Sequence, residues 1–346
     1  MARLFTYIMI PVMMFATNCS LLGLEEEDDD NSLLLLAGLV LLSNSSCSGD
    51  VLKSSTFRTL RGASQVSCTL SDGSTGTCCQ LTFASNTVTD NGPFCPANAT
   101  SPATNAGMGI YNGATTPGMH ELSLAFLNNM EADGSDIVNG ASAVRIQDPG
   151  NPAGNNNPAF IYCLQASAND NLNLTFTIPM TPKDAASVDT ISSVELIGVS
   201  LDGAPINGAP PTVSGNSGNL PALDSCGGHH DPSGYYHWHF VPESINAVHA
   251  ANTGGGANFG TNALSCTNIT QNTSALIGFA KDGYPMYASK DTGGATPTGL
   301  DSCNGHTGVT TEFPNGIYHY HASATGIPNL PTCVKGVSVT NNFTAR

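Results

Sequence analysis

The sequence predicts an all-β or β-rich, disulfide-stabilised, sandwich-like architecture with an internally duplicated C-terminal half. Three observations carry that expectation. Gly (37) and Pro (21) are abundant while charged residues make up 10%, a composition that suits short strands joined by turns and gives helices little to work with. Eleven cysteines stand at positions 19, 47, 68, 78, 79, 95, 163, 226, 266, 303 and 333. In the C-terminal half, three sequence blocks recur in the same order.

The length of 346 residues allows one large or two ordinary domains. A formal charge of −16 leaves nothing to neutralise a phosphate backbone, which excludes nucleic acid and anionic membrane surfaces as main partners. Residues 1–18 carry Arg3, an apolar run over 4–15 and small or polar residues up to Cys19, the pattern of a signal peptide. Cleavage before Cys19 resembles bacterial lipoprotein processing, in which lipid on the new N-terminal cysteine holds the protein at the outer membrane or cell surface; plain secretion is the alternative. Residues 19–50 read as a tether, acidic over 25–30 and apolar over 32–43, where the run is too short to cross a bilayer.

Without Cys19 ten cysteines remain, an even number that argues for disulfides in an oxidising compartment. The adjacent Cys78 and Cys79 are expected to take different partners, because a bond between neighbours closes a strained ring. Over 51–196 the runs VSCTL, CQLTF, AFIYCL and LNLTFTI alternate with DGSTG, DNGP and PGNPAGNNNP, which are strand and turn signals. This β-rich region is either a separate sandwich or the first part of one large domain shared with the duplicated region, 197–346; LNLTFTIP leads into residue 197 without a long linker, which favours the second.

The duplication is specific. IGVSLDGAPIN (197–207) and IGFAKDGYPMY (277–287) share Ile-Gly, Asp-Gly and Pro at a constant offset of 80. LDSCGGH (223–229) and LDSCNGH (300–306) agree at six of seven positions, and SGYYHWH (233–239) matches NGIYHYH (315–321) at Gly, Tyr, His and His. The two units therefore span 197–239 and 277–321. These blocks resemble the YHYH domain family, named for the tetrapeptide that stands here as Tyr318, His319, Tyr320 and His321. The resemblance implies a secreted or surface module and carries no settled activity.

Six histidines hold equivalent places in the units: His229, His237 and His239 in the first, His306, His319 and His321 in the second. Residues i and i+2 of a strand share a face, so each His-x-His sets two imidazoles side by side. The alternate residues Tyr236, Trp238, Tyr318 and Tyr320 then face the other way into apolar packing. With the Gly-His loop supplying a third nitrogen, each triad suits a transition metal, copper or zinc. Separate triads are favoured over one shared dinuclear centre, since centres of that kind are built on helices. Asp224 and Asp301 are candidate accessory ligands, tautomer-fixing acceptors or Asx-turn residues. Tyr284 and Tyr287, the counterparts of Ala204 and Asn207, are further accessory candidates. The competing readings are a surface interaction module in which His and Tyr form a structural hydrogen-bond network, and a metal-dependent enzyme whose substrate the sequence does not name. Cys226 is expected to pair with Cys266, and Cys303 with Cys333, tying each DSC-x-GH loop to the segment beyond its histidine strand.

Overall fold

Turn chemistry places the first strands. The chain reverses at Asp72-Gly73, where the Asp72 carboxylate accepts the Ser74 N–H at 2.9 Å, and this joins β1 (Leu60–Thr69) to β2 (Thr75–Ala84) as an antiparallel hairpin. Alternation along β2 sends Cys78 and Cys79 to opposite faces, and they bond to Cys68 and Cys47 respectively. The computed structural model describes residues 46–85, 95–96, 107–115, 117–147, 157, 159–213, 218–224, 226–242, 245, 272–324 and 328–346. The signal sequence, Cys19, nearly all of the tether and Cys266 lie outside these residues. Residues 44–346 form one compact unit.

Further along lie β3 (Met108–Tyr111), β4 (Gly118–Glu121), β5 (Ile146–Gln147), β6 (Cys163–Leu164), β7 (Asn173–Pro179) and β8 (Asp184–Thr190). Among the described residues the β-rich fold carries one α-helix of more than a turn, α1 (Leu124–Ala132). Ser123 caps it by accepting the Phe126 N–H at 3.3 Å, and its buried residues Phe126, Leu127 and Met130 recur at helical spacing. The run AFIYCL contributes only the two-residue β6, bonded to Cys95 through Cys163.

The first unit supplies β9 (Leu196–Ser200), β10 (Pro205–Asn207), β11 (Leu220–Pro221), β12 (Gly228–His230) and β13 (Tyr236–Trp238). The second supplies β14 (Leu276–Ala280), β15 (Pro285–Tyr287), β16 (Gly305–Gly308) and β17 (Ile317–His321), and β18 (Cys333–Gly336) and β19 (Phe343–Ala345) close the chain. Eight of these strands form a sheet of order β12-β13-β10-β9-β14-β15-β17-β16, in which the second unit repeats the first in reverse. β9 and β14 pair antiparallel with Gly198 opposite Ala280, Val199 opposite Phe279 and Ser200 opposite Gly278. Under the offset of 80 this register maps onto itself, so a pseudo-two-fold axis passes between Val199 and Phe279. The Ile-Gly that opens each unit follows from this contact: a Cβ on Gly198 would overlap the Phe279 carbonyl, and one on Gly278 the Val199 carbonyl.

A second sheet, β1-β2-β7-β19, covers the middle of this one, and the two share a core. Leu81, Phe83, Phe176 and Ile178 meet Val199, Phe279 and Tyr287 there, with Phe57 and Phe83 edge-to-face at 5.5 Å between centroids. Each such ring contributes roughly 2–3 kcal/mol by leaving water. The eight-stranded sheet buries its other face around Ile206, Tyr236, Trp238, Met286, Tyr318 and Tyr320, where β18 brings Cys333 to a bond with Cys303.

Candidate metal centres

Each Asp-Gly hairpin is followed by a parallel partner strand, β13 beside β10 and β17 beside β15, and each of these pairs antiparallel with the strand that carries the Gly-His. His229 thereby lies opposite His237, and His306 opposite His319. The expected alternation holds: the four aromatic residues between the histidines enter the apolar core, and the imidazoles occupy the other face.

The aspartate of DSC-x-GH builds the loop and does not join the imidazoles. Asp224 Oδ1 accepts the N–H groups of Cys226 (2.7 Å) and Gly228 (3.1 Å), and its Oδ2 accepts the Tyr236 hydroxyl at 2.6 Å. Asp301 repeats the pattern with Cys303 (2.9 Å), Gly305 (3.1 Å) and Tyr318 (2.9 Å). Both carboxylates are thus Asx-turn residues clasped by the tyrosine of the following strand, one of the three roles the sequence left open to them. The glycine before each histidine leaves room for that clasp, since a Cβ on Gly228 or Gly305 would overlap the tyrosine hydroxyl. Cys226 is disulfide-bonded, and Cys266, its expected partner, lies outside the described residues.

The hydroxyls of Tyr284 and Tyr287 are engaged away from the imidazole nitrogens. Tyr284 donates to Asp184 at 2.7 Å on the far face. Tyr287 packs its ring 5.1 Å from that of His319, and its hydroxyl reaches Thr310 (2.8 Å) and Glu312 (2.7 Å), so it lines the second triad without facing it.

In the second triad every Nδ1–H donates to a backbone carbonyl: His306 to Thr298 (3.0 Å), His319 to Ile317 (2.9 Å) and His321 to Ala288 (2.7 Å). These bonds fix one tautomer and leave each Nε2 with a lone pair. The lone pairs converge. His306 Nε2 lies 3.2 Å from His319 Nε2 and 3.3 Å from His321 Nε2. Asp291 completes the group, its Oδ1 at 3.1, 3.3 and 3.8 Å from Nε2 of His306, His321 and His319. Four ligands about 2.0–2.1 Å from a tetrahedral ion stand about 3.3 Å apart, so the spacing fits such an ion.

The first triad gathers the equivalent histidines with no carboxylate of the described residues among them, and His237 Nδ1, unlike His319 Nδ1, has no hydrogen-bond partner. His237 and His239 bring Nε2 atoms to 3.1 Å, and His239 Nδ1–H donates to Gly208 at 2.7 Å, as His321 does to the equivalent Ala288. His229 faces both rings at 4.5 and 5.2 Å, and its Nε2 is buried without a hydrogen-bond partner. Pro211 occupies the place that corresponds to Asp291. Burial pushes His237 and His239 down to about 3 and His321 to about 4, and it lowers His229 and His319 in the same direction. These imidazoles are therefore neutral at pH 7, the state in which they ligate.

The triads are distinct. β13 and β17 are separated by five inter-strand steps, about 24 Å along a sheet with strands about 4.8 Å apart, so no single ion or close pair of ions is shared.

Residues 175–298 and 291–336 match the family whose model is described as YHYH protein, and these pieces include both triads and Asp291. No curated protein and no solved structure matches the chain.

Proposed function

We propose that the YHYH-protein region of this chain binds two transition-metal ions, copper or zinc, one in each histidine triad. The observation that carries the reading is the second triad, where three Nδ1–H groups are committed to carbonyls while three Nε2 lone pairs and a carboxylate oxygen meet at ligand spacing. A structural network explains the Nδ1 bonds but sets acceptors against acceptors at Nε2, an arrangement that a shared metal ion relieves. When bound, the ion supplies Lewis acidity or redox capacity, and the chain's part is to hold neutral nitrogens in place behind fixed tautomers. His306 and Asp291, with side chains 14% and 25% exposed, are the open side of the second centre.

The setting we propose is extracytoplasmic, with lipid on Cys19 as the anchor. Bonds Cys47–Cys79, Cys68–Cys78, Cys95–Cys163 and Cys303–Cys333 support an oxidising compartment. Two experiments test the proposal. Titration of tag-free apoprotein with zinc and copper together is expected to reach two ions per chain, and absence of tight binding refutes it. Cys19→Ala is expected to move the protein out of the membrane fraction, and unchanged fractionation removes the anchor.

A further inference from the structure

We infer that the two triads select different ions: the first a monovalent soft cation of the cuprous type, the second a divalent ion. This rests on the reading that both triads bind metal, and it follows from a difference in charge and enclosure between two sites built on equivalent histidines.

The first triad is closed and uncharged. His229, His237 and His239 are 8%, 3% and 0% exposed, and among the described residues no carboxylate stands with their ligand nitrogens. Asp231, in the turn ahead of β13, acts on His239 from a distance, and its Oδ1 is engaged by the Ser233 N–H. A dication held by three neutral imidazoles keeps its full charge in this enclosed place. Desolvation scales with the square of the charge, so a monocation incurs about a quarter of the penalty. A cuprous ion is also satisfied by three nitrogens, whereas a divalent ion in this place lacks the fourth ligand it normally takes. The buried and unpartnered His229 Nε2 fits a ligand atom waiting for such an ion.

The second triad reverses both conditions. Asp291 adds one negative charge and a fourth donor at tetrahedral spacing, and its side chain touches solvent. The segment after β15 delivers this carboxylate three residues beyond Ala288, whose carbonyl orients His321, whereas the corresponding stretch of the first unit orients His239 from Gly208 and then reaches Pro211. Sequence divergence at a single loop position thus changes the charge of one site and not of the other.

The test uses the full-length chain without a tag and two probes: cuprous ion under anaerobic competition with a cuprous chelator, and zinc in competition with a chromophoric chelator. His319→Ala with His321→Ala leaves the first triad intact; this variant is expected to hold one cuprous ion and to bind zinc at least about 100-fold more weakly than the wild-type second triad. Asp291→Asn keeps shape and removes charge at a partly exposed position, so it folds even if the double variant does not. It is expected to lower zinc affinity about 10–100-fold while cuprous affinity stays within about 3-fold. Equal zinc affinity at the two triads, or an Asp291→Asn variant weakened alike for both ions, overturns the inference. A wild-type chain that binds neither ion removes the metal reading beneath it.

Discussion

Tyr320→Phe tests whether the two faces of the histidine strands do separate work. Tyr320 is fully buried, and its hydroxyl donates to Asp282 Oδ2 at 2.6 Å while accepting the Lys335 N–H at 2.6 Å. The Asp282 carboxylate, itself buried, retains the Gly336 N–H (2.8 Å) and Tyr284 N–H (3.1 Å) after the change. Phe fills the same volume, so no cavity term arises. The losses are one charge-assisted hydrogen bond, about 1.5–3 kcal/mol, and one stranded backbone donor, about 1–2 kcal/mol. Together they amount to about 2.5–5 kcal/mol, or about 4–8 °C in Tm for a unit of this size. Calorimetry on the apoprotein measures the shift, with Tyr284→Phe as reference, because its partner Asp184 is exposed and the loss there is about 1 kcal/mol or less. Metal stoichiometry is expected to remain that of the wild type, since the hydroxyl points away from the imidazoles. A Tyr320→Phe shift no larger than that of Tyr284→Phe, or a loss of bound metal at constant fold, refutes the division of faces.

Three further outcomes are expected. His319→Ala with His321→Ala lowers bound metal from two ions per chain to one, measured by elemental analysis, while circular dichroism stays unchanged because Tyr318 and Tyr320 still fill the core. Bound metal persists at pH 5.5, where ordinary imidazoles with a pKa near 6.5 are largely protonated, because burial holds His237, His239 and His321 at about 3, 3 and 4. In the apoprotein the same depressed values make stability fully present above about pH 6.5 and progressively lost toward pH 4, with a slope of up to about 1.4 kcal/mol per pH unit for each histidine; a flat urea-midpoint profile over that window contradicts this. Gly198→Ala and Gly278→Ala each destabilise by about 3 kcal/mol, and by similar amounts, because each Cβ meets a carbonyl across the same pseudo-two-fold contact.

The duplication made most of the site legible. Equivalent blocks identified the six histidines, and strand alternation assigned the intervening aromatics to the apolar face, where Trp238 and Tyr320 now lie. Alternation also underlies the separate partners of Cys78 and Cys79. Asp291 was missed for the same reason the histidines were found: its counterpart is Pro211, so matching the units against each other passes over it. For Asp224 and Asp301 the sequence left the ligand and Asx-turn roles both open; the signal for the Asx turn was the glycine two residues after the cysteine, which leaves space for a tyrosine hydroxyl. Helix α1 was hidden because a nine-residue stretch in a strand-rich sequence carries little periodic signal, and Ser123 is its one local mark. Strand β8, DAASVDT, is nearly all exposed and lacks alternation, so only its pairing with β18 makes it a strand.

The most direct test of the central claim is anomalous diffraction from crystals of the tag-free protein equilibrated with zinc and, separately, with copper, recorded on either side of each absorption edge. Across the two data sets two sites per chain are expected, about five strand spacings or about 24 Å apart along the sheet: copper at the first triad and zinc at the second, each about 2.0–2.1 Å from three imidazole nitrogens, with Asp291 as a further ligand at the second. Absence of a peak between His306, His319 and His321, or metal bound only at surface carboxylates, contradicts the account.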